Sequence, residues 1–449
     1  MSDKQGFSSS FGAIMAAVGS AVGLGNIWRF PYIMGKYGGG AFLLVYLAFV
    51  FLIGMVLMMT EFVIGRRSQH TPPLAFTSLD PKHRKGWRLL GYLCIVTCFF
   101  ILAQYVVISG WTVGYLVDSA RGILADISSA DMHAHFEAVV SHSWHPLLYM
   151  GLFFIVTVVI ILGGVQKGIE AASKILMPLL LALLLVLCVR ANTLPNSSAG
   201  LSYLFNPDFS KLTGEGVLAA LGQALFSLSV GMGTMIVYGS YVPVSDNIFK
   251  TSLLITASDT FCAVLAGVAI FPAVFSCGLE PAGGPGLVFS VLPLVFNSMG
   301  NVGIVFSVLF FLLLSLAALT SAISLLETPV AWLAERWGWS RPKATVIAAV
   351  VILMMGNLCG VAYGPLSFIK ICGDNMFDFV DKLNSIYLPP ICAIGTVLFL
   401  GWVMPKADIL DELSNHGTIK VFYFKVYRFL VRFVAPVALF IVLIEGILK

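Results

Sequence analysis

Charged side chains are scarce in this chain. Asp, Glu, Lys and Arg make up 11% of the 449 residues, hydrophobic residues make up 59%, and the mean hydropathy is +0.95. A soluble globular domain carries about 25% charged residues, so this scarcity excludes that class. Apolar runs of the ~20 residues that a membrane helix needs fill most of the sequence. The composition therefore predicts a polytopic membrane protein.

The apolar runs also lack histidine, because all 7 His lie in connecting segments. With no His/Glu metal motif and no Ser/His pairing inside the runs, a membrane enzyme is not predicted. The 8 Cys lie within or next to apolar runs and are interpreted as small buried hydrophobes. Four histidines share one connection and could ligate zinc, but no Cys or paired carboxylate pattern completes a site, which favours an ordinary solvated loop. These are His133, His135, His142 and His145.

Eleven membrane spans are predicted. By residue number they are 11–35, 41–65, 88–120, 147–163, 168–190, 216–242, 247–276, 300–335, 344–361, 376–402 and 424–447. Basic residues concentrate in the connections 66–88, 336–343 and 406–428, which share one side if the spans alternate. The positive-inside rule then predicts a plasma (inner) membrane protein with a cytoplasmic N-terminus and an extracellular or periplasmic C-terminus. The basic connections orient the chain, and no nucleic-acid partner is predicted.

Two of the apolar runs are interrupted at their centres. Ser20–Asn26 breaks the first run and Ser229–Gly233 breaks the sixth, each with serine and two glycines. Backbone groups freed from helical hydrogen bonds in lipid cost several kcal/mol each, so such breaks are tolerated where the freed groups line a cavity. Two broken helices in corresponding places of two halves predict the binding site of a secondary transporter.

The position of the breaks predicts an internal repeat within one transmembrane domain, 1–449. The first repeat spans 11–190 and the second spans 216–402, and 424–447 is an additional helix. Because five spans is an odd number, the second copy enters the membrane inverted. The breaker-rich stretch 278–286 leads into apolar residues 287–299, which could dip back as a lid over an outer vestibule.

Several motifs are shared with one transporter family. They are Gly19–Tyr32 (GSAVGLGNIWRFPY), Gly38–Phe42 (GGGAF), Gln104-Tyr105 with Trp111, Gly222–Ser229 (GQALFSLS) and Ala317–Ser321. On these residues the chain resembles the neurotransmitter:sodium symporter family, specifically its bacterial eleven-span amino-acid transporters. The resemblance covers spans one to ten and implies the 5+5 inverted-repeat fold of the bacterial leucine transporter, all-α, with broken first and sixth helices plus an eleventh. It also implies sodium-driven symport by alternating access.

The resemblance implies two sodium sites. The first, Na1, would take Ala21, Asn26, Ser227 and Asp259. The second, Na2, would take Gly19, Val22, Ala317, Thr320 and Ser321. The residues themselves agree, since Thr320-Ser321 is a hydroxyl pair inside an apolar run, although such hydroxyls can also bond back to their own helix.

The substrate expectation rests on Gly23. Relatives that carry amine transmitters have an aspartate at this position to pair the amine, so glycine leaves room for a free carboxylate. That carboxylate would be bound by the Leu24 and Gly25 amides and by Tyr105, near the positive end of the half-helix. The amine would meet the Ala21, Phe226 and Ser227 carbonyls and the Ser229 hydroxyl, beside Ser321. The side chain would face Ile101, Phe226, Met232 and Leu325. The predicted substrates are hydrophobic or aromatic L-amino acids.

An outer gate is expected from the same resemblance. Arg29 lies just beyond the first break, and a charge within the membrane is costly without a partner. Asp378 matches its acidic partner in the family, and Asp381 is the alternative. Phe226 and Tyr105 would close over the substrate.

An inner gate and exit are also expected. Lys4 stands where the family has arginine, Glu335 stands for the acidic partner, and Tyr241 would brace them. Lysine reduces a bidentate pair to a point-charge pair. Gly168 and Pro178 are spaced Gly-x9-Pro, which predicts unwinding of the fifth span to let water reach Na2. A kinked or capped helix is the alternative.

Asp259 is a carboxylate within an apolar span and is therefore a functional candidate. Chloride-dependent relatives bind an anion with residues matching Tyr46, Gln223 and Ser227. Here Asp259 would supply that negative charge, which predicts chloride-independent transport and suggests proton counter-transport. A water-exposed helix end is the alternative for Asp259. The rival function is a ligand-gated channel or an amino-acid sensor on the same fold.

Overall fold

Long apolar helices dominate the chain, as its composition requires. The structure is a computed structural model that describes residues 6–128, 131–142, 144–279 and 286–448. Within these residues nine helices are long and apolar enough to cross a membrane. They are α3 (Gly40–Ser68), α5 (Lys85–Ala120), α7 (His145–Leu162), α8 (Val165–Asn192), α12 (Ile248–Ser276), α14 (Asn301–Trp337), α15 (Arg341–Gly360), α16 (Met376–Val403) and α18 (Phe424–Leu448).

The two remaining predicted spans are the broken ones. The first consists of α1 (Ser10–Ala21) and α2 (Gly25–Lys36), which are bent by 47° at the break. The sixth consists of α10 (Gly214–Ser227) and α11 (Thr234–Gly239), separated by six non-helical residues. Both breaks fall where the sequence predicts them.

Shorter helices connect the spans. They are α4 (Pro72–Ser78), α6 (Met132–Ser141), α9 (Ser197–Phe205), α13 (Leu287–Asn297) and α17 (Lys406–Leu413). The apolar stretch predicted to dip back forms α13. Its Phe289 ring stacks on Phe136 of α6 at 5.2 Å and lies 6.2 Å from Trp111 of α5. Residues 280–285, which precede it in the predicted lid, lie outside the described residues.

The core lies around α5, and α18 lies at the periphery. In the most apolar 18-residue window of each helix, 78% of α5 is buried inside the protein but only 17% of α18. The central position of α5 places Tyr105 beside both breaks. Apart from Lys425 near its start, the exposed side chains of α18 are apolar, as a lipid-facing helix requires.

One end of the bundle, here called the basic face, carries Arg66, Arg67, Arg84 and Arg341. The side chain of Arg66 is buried, bonds the Glu412 carboxylate and donates to the Asp246 carbonyl at 2.5 Å. Arg67 pairs with Asp411 at 2.5 Å, and this hydrogen bond lowers the pKa of Asp411. These contacts fix α17 against the end of α3. The opposite end, which carries Arg29, Trp111 and Asp378, is called the vestibule face.

Candidate functional site: two broken helices around a small cavity

Glycine and serine set the backbone of both breaks. In the sixth span, Ser229, Gly231 and Gly233 have φ values of 51°, 80° and 76°. This left-handed region is accessible to glycine and costly for most other residues, so the glycines permit a turn in mid-membrane. In the first span, Val22 has an extended backbone directly after α1. The Ser20 carbonyl at the end of α1 accepts from the Ser229 hydroxyl, which links the two breaks.

A small cavity lies between the breaks, and it collects most of the predicted substrate residues. Its lining is Ala21, Gly23, Gly25, Ile101, Tyr105, Phe226, Ser229, Met232, Ser321 and Leu325. The other two predicted residues lie beside it. The Leu24 amide donates to the Tyr105 hydroxyl at 3.1 Å, and Ser227 belongs to the neighbouring Asp259 cluster.

Polar groups converge at one end of this cavity. The hydroxyls of Ser229 and Ser321 both donate to the Ser20 carbonyl, at 2.8 and 3.1 Å. The lining also includes apolar side chains, Ile101, Met232 and Leu325, which are all buried. A molecule with a charged head and an apolar side chain matches this lining.

Gly23 has no room for a side chain. A Cβ built there would lie 2.3 Å from the Ser321 hydroxyl oxygen and 2.9 Å from that of Tyr105. The position is therefore closed to the aspartate that amine-carrying relatives use. The Gly23 amide donates to the side-chain oxygen of Asn26 at 3.1 Å.

The residues predicted for Na1 form one buried cluster. Asn26 Nδ2 donates to Asp259 Oδ1 at 2.7 Å, and the Ser227 hydroxyl donates to Asp259 Oδ2 at 2.7 Å. Asp259 is fully buried, so the alternative of a water-exposed helix end is wrong. A carboxylate, an amide oxygen and a hydroxyl provide the hard oxygen ligands that suit a cation such as sodium.

Two side chains surround this cluster. The Tyr46 hydroxyl donates to Ser227 Oγ across 3.3 Å, and the Gln223 amide donates to the Gly25 carbonyl at 2.8 Å. Both are buried. Of the three residues predicted from the anion site of chloride-dependent relatives, Ser227 thus contacts Asp259, Tyr46 contacts Ser227, and Gln223 contacts the first break.

The residues predicted for Na2 meet where α14 passes the first break. Thr320 Oγ1 lies 3.4 Å from the Val22 carbonyl and 3.0 Å from the Ala317 carbonyl. Gly19 approaches so closely that a Cβ there would lie 3.3 Å from Thr320 Cβ. Thr320 therefore contacts both its own helix and the break, whereas Ser321 bonds across to the break through Ser20.

A wide vestibule of about 570 Å³ opens above the small cavity, on the vestibule face. Ile101, Tyr105 and Phe226 line both spaces. The ring of Phe226 lies under Arg29, whose guanidinium carbon is 4.7 Å from the ring centroid. Phe226 and Tyr105 therefore form the boundary between the vestibule and the cavity, as predicted for residues that close over a substrate.

The predicted ion pair between Arg29 and Asp378 is not formed among the described residues. Asp378 instead accepts from Tyr363 at 2.6 Å and from Asn375 at 2.7 Å. Asp381 accepts from Gln104 of α5 at 2.7 Å. Arg29, Asp378 and Asp381 all line the vestibule.

The predicted inner gate also differs from the structure. Glu335 lies 2.7 Å from His70 Nδ1 and accepts from the Thr71 amide at 2.9 Å, so the start of α4 holds it. Tyr241 donates to Glu327 at 2.8 Å rather than bracing Glu335. Lys4 lies outside the described residues.

Glu327 is the carboxylate that pairs with Arg341 at the basic face. Its two carboxylate oxygens accept from Arg341 at 3.0 and 2.5 Å. Glu327 is fully buried, so this bidentate pair is charge-assisted and shielded from water. Sequence reasoning missed both residues, although a carboxylate inside the predicted span 300–335 was a detectable signal.

The predicted unwinding of the fifth span is absent from this structure. α8 is helical from Val165 to Asn192, with Pro178 inside it and a π-helical first turn. A Cβ on Gly168 would lie 2.0 Å from the Ile160 carbonyl oxygen. The glycine here allows the start of α8 to pack against the end of α7.

Glu61 of α3 is a further buried carboxylate that sequence reasoning missed. It accepts from the Gly231 amide at 2.6 Å and from the Met235 amide at 3.1 Å. Amides freed by the break in the sixth span thereby gain a partner inside the protein. The signal was the same as for Asp259, a carboxylate within an apolar run.

Comparison with known proteins assigns the family. The profile described as "Sodium:neurotransmitter symporter family" matches residues 4–128 and 127–449. The chain belongs to this family. It is a sodium-dependent transporter that spans the membrane several times, and not an enzyme.

Relatives of this symporter match along its whole length. YhdH, an uncharacterized sodium-dependent transporter of Bacillus subtilis (strain 168), is 38% identical over 445 residues, which cover 99% of this chain and 98% of YhdH. An uncharacterized sodium-dependent transporter of Haemophilus influenzae is 35% identical over 454 residues, covering 99% and 98%. The crystal structure of MhsT in complex with L-phenylalanine has a TM-score of 0.89 and 42% identity, covering 98% of this chain and 99% of MhsT. The symporter thus has the predicted leucine-transporter type of fold.

Proposed function

We propose that this symporter imports hydrophobic or aromatic L-amino acids, driven by two sodium ions and without chloride. The central observation is that both predicted ion clusters adjoin the first break, one through Asn26 and the other through Val22. The lining of the cavity between the breaks combines polar groups with apolar side chains. The structure of MhsT, a relative of similar length, contains L-phenylalanine.

The proposed substrate position is the small cavity that Gly23 lines. The carboxylate of the amino acid would bind the amides of the first break and the Tyr105 hydroxyl, and would complete the shell of the Na1 ion. The amine would meet the carbonyls of the two breaks and Ser229. Met232 would contact the side chain, and its flexible thioether suits substrates of several shapes.

The proposed orientation places the basic face in the cytoplasm, by the positive-inside rule. The vestibule would then open to the outside. Arg29 would close it by moving from the Phe226 ring toward Asp381 or Asp378, which line the same space. The Glu327–Arg341 pair with Tyr241 would close the cytoplasmic side.

Binding of a labelled amino acid to the purified protein tests the two ion clusters. We expect sodium-dependent binding of leucine, phenylalanine or tryptophan in the wild type, and its loss in Asn26→Ala and in the double variant Thr320→Ala/Ser321→Ala. Ser315→Ala is the matched control on α14, because its hydroxyl contacts the Phe311 carbonyl at 2.8 Å and Thr112 of α5 at 3.2 Å, but neither break. Equal binding in sodium and in potassium would contradict the proposal.

A further inference from the structure

One carboxylate on α8 binds the residues that precede the first half-helix. Glu170 accepts from the Ser8 amide at 2.7 Å, from the Ser8 hydroxyl at 2.6 Å and from the Ser9 hydroxyl at 3.1 Å. Lys174, one turn further along α8, donates to the same carboxylate at 2.6 Å. The Glu170 side chain is 1% exposed. These four residues are called the latch below.

The sequence of the half-helix is adapted to this carboxylate. Ser9 caps α1 through the Gly12 amide, at 3.0 Å, so Glu170 lies at the positive end of a helix dipole. A Cβ on Gly12 would lie 2.0 Å from Glu170 Oε1. Glycine at position 12 therefore leaves the space that the carboxylate occupies.

The latch lies on the same pair of helices as the residues predicted for Na2. Gly19 of α1 is close to Met177 of α8, since a Cβ there would lie 3.3 Å from the Met177 sulfur. Glu170 precedes Met177 by seven residues, or about 10 Å along the helix. The seam between α1 and α8 therefore runs from the Na2 residues to the latch at the basic face.

The neighbouring serine makes a different contact. The Ser10 hydroxyl donates to Asp246, in the connection between α11 and α12, at 2.5 Å. This bond does not involve α8. It provides a control of the same residue type, two positions away from Ser8.

We propose that Glu170 holds the first half-helix against α8, and that release of this latch opens the seam through which the Na2 ion leaves toward the basic face. Glu170 is a positioning residue in this account and touches no substrate. The role assigned to the ion rests on the proposed function, whereas the attachment of α1 to α8 does not. A charge-assisted hydrogen bond contributes enough that its loss shifts a conformational equilibrium about tenfold or more.

Hydrogen–deuterium exchange of the whole protein, without sodium and with it, tests the latch. We expect Glu170→Gln to speed exchange in residues 10–21 and 165–177 about tenfold without sodium, and saturating sodium to restore the slow rate. Ser8→Ala/Ser9→Ala should show the same pattern more weakly and serves if Glu170→Gln fails to fold. Ser10→Ala should leave residues 165–177 unchanged. Wild-type exchange rates in both latch variants would overturn the proposal.

Sodium titration of amino-acid binding separates the latch from a general structural role. We expect Glu170→Gln to raise the half-saturating sodium concentration about tenfold while maximal binding stays at the wild-type level. Glu170→Asp, which keeps the charge, should recover most of the difference. A fall in maximal binding with no change in half-saturation would contradict the latch. If the wild type itself shows no sodium-dependent binding, the proposed function fails, while the sodium-free exchange comparison still tests the attachment.

Discussion

Asp259 is the residue on which the proposed chloride independence depends. Its carboxylate bonds Asn26 and Ser227, and Ser227 in turn accepts from Tyr46, so we propose that Asp259 supplies the negative charge that chloride would otherwise provide. We expect wild-type transport to be indifferent to replacement of chloride by gluconate. Asp259→Asn should lose transport in gluconate, with any recovery confined to chloride. Strong chloride dependence of the wild type would contradict the assignment.

Gly23 provides a second test at the scale of one atom. Gly23→Ala places a methyl group against the Ser321 and Tyr105 hydroxyls, and overpacking of this kind costs about 1–3 kcal/mol. We expect amino-acid affinity to fall about tenfold or more, measured by equilibrium binding. Gly222→Ala is the matched control, because a Cβ there meets no atom within 4 Å. Equal affinities of the two variants would remove Gly23 from the site.

For the buried carboxylates, the sequence predicts which residues are functional candidates but not which partners they bond. The cost of an unpaired charge in the membrane identified Asp259 from sequence, and the same argument applies to Glu61 and Glu327. Their partners could not be predicted, because the Gly231 amide and Arg341 approach them only in the folded chain. The prediction of an Arg29–Asp378 ion pair is wrong for this structure for a similar reason. Asp378 accepts from Tyr363 and Asn375, which the sequence did not identify as its partners.

At the scale of elements, the prediction about the inner exit concerns unwinding of α8. It is a continuous helix here, so the predicted unwinding concerns a step of the transport cycle. Pro178 removes one helical hydrogen bond in mid-helix, which lowers the cost of unwinding. We expect Pro178→Ala to slow uptake more than it weakens equilibrium binding, measured in the same preparation. Equal losses in both would count against the exit.

The broken helices could be predicted from the sequence, and the short helices over the vestibule only in part. Glycine at positions 23, 25, 231 and 233 identifies the breaks because no ordinary membrane helix needs it there. The apolar run predicted to dip back forms the short helix α13, whose Phe289 contacts Phe136 and Trp111. The contribution of α6 to the vestibule was missed, because His133, Phe136 and Glu137 read as an ordinary polar connection.

At the scale of the whole molecule, one small cavity lies between a bonded basic face and a wide vestibule. On the basic face the latch and the Glu327–Arg341 pair join elements distant in sequence. On the vestibule face, Arg29 over Phe226 leaves the wide space open above the cavity. Such an arrangement suits a carrier that opens one face at a time, since continuous access from both faces would dissipate the gradient. A channel or a sensor on the same fold would not concentrate its ligand.

Uptake of a radiolabelled amino acid into proteoliposomes tests the central claim most directly. With sodium outside and potassium inside, we expect leucine, phenylalanine or tryptophan to accumulate above its external concentration. The accumulation should collapse when sodium is equal on both sides, and should be unaffected by gluconate in place of chloride. Uptake that only equilibrates, or that is the same size in a sodium-free potassium buffer, would contradict sodium-coupled symport.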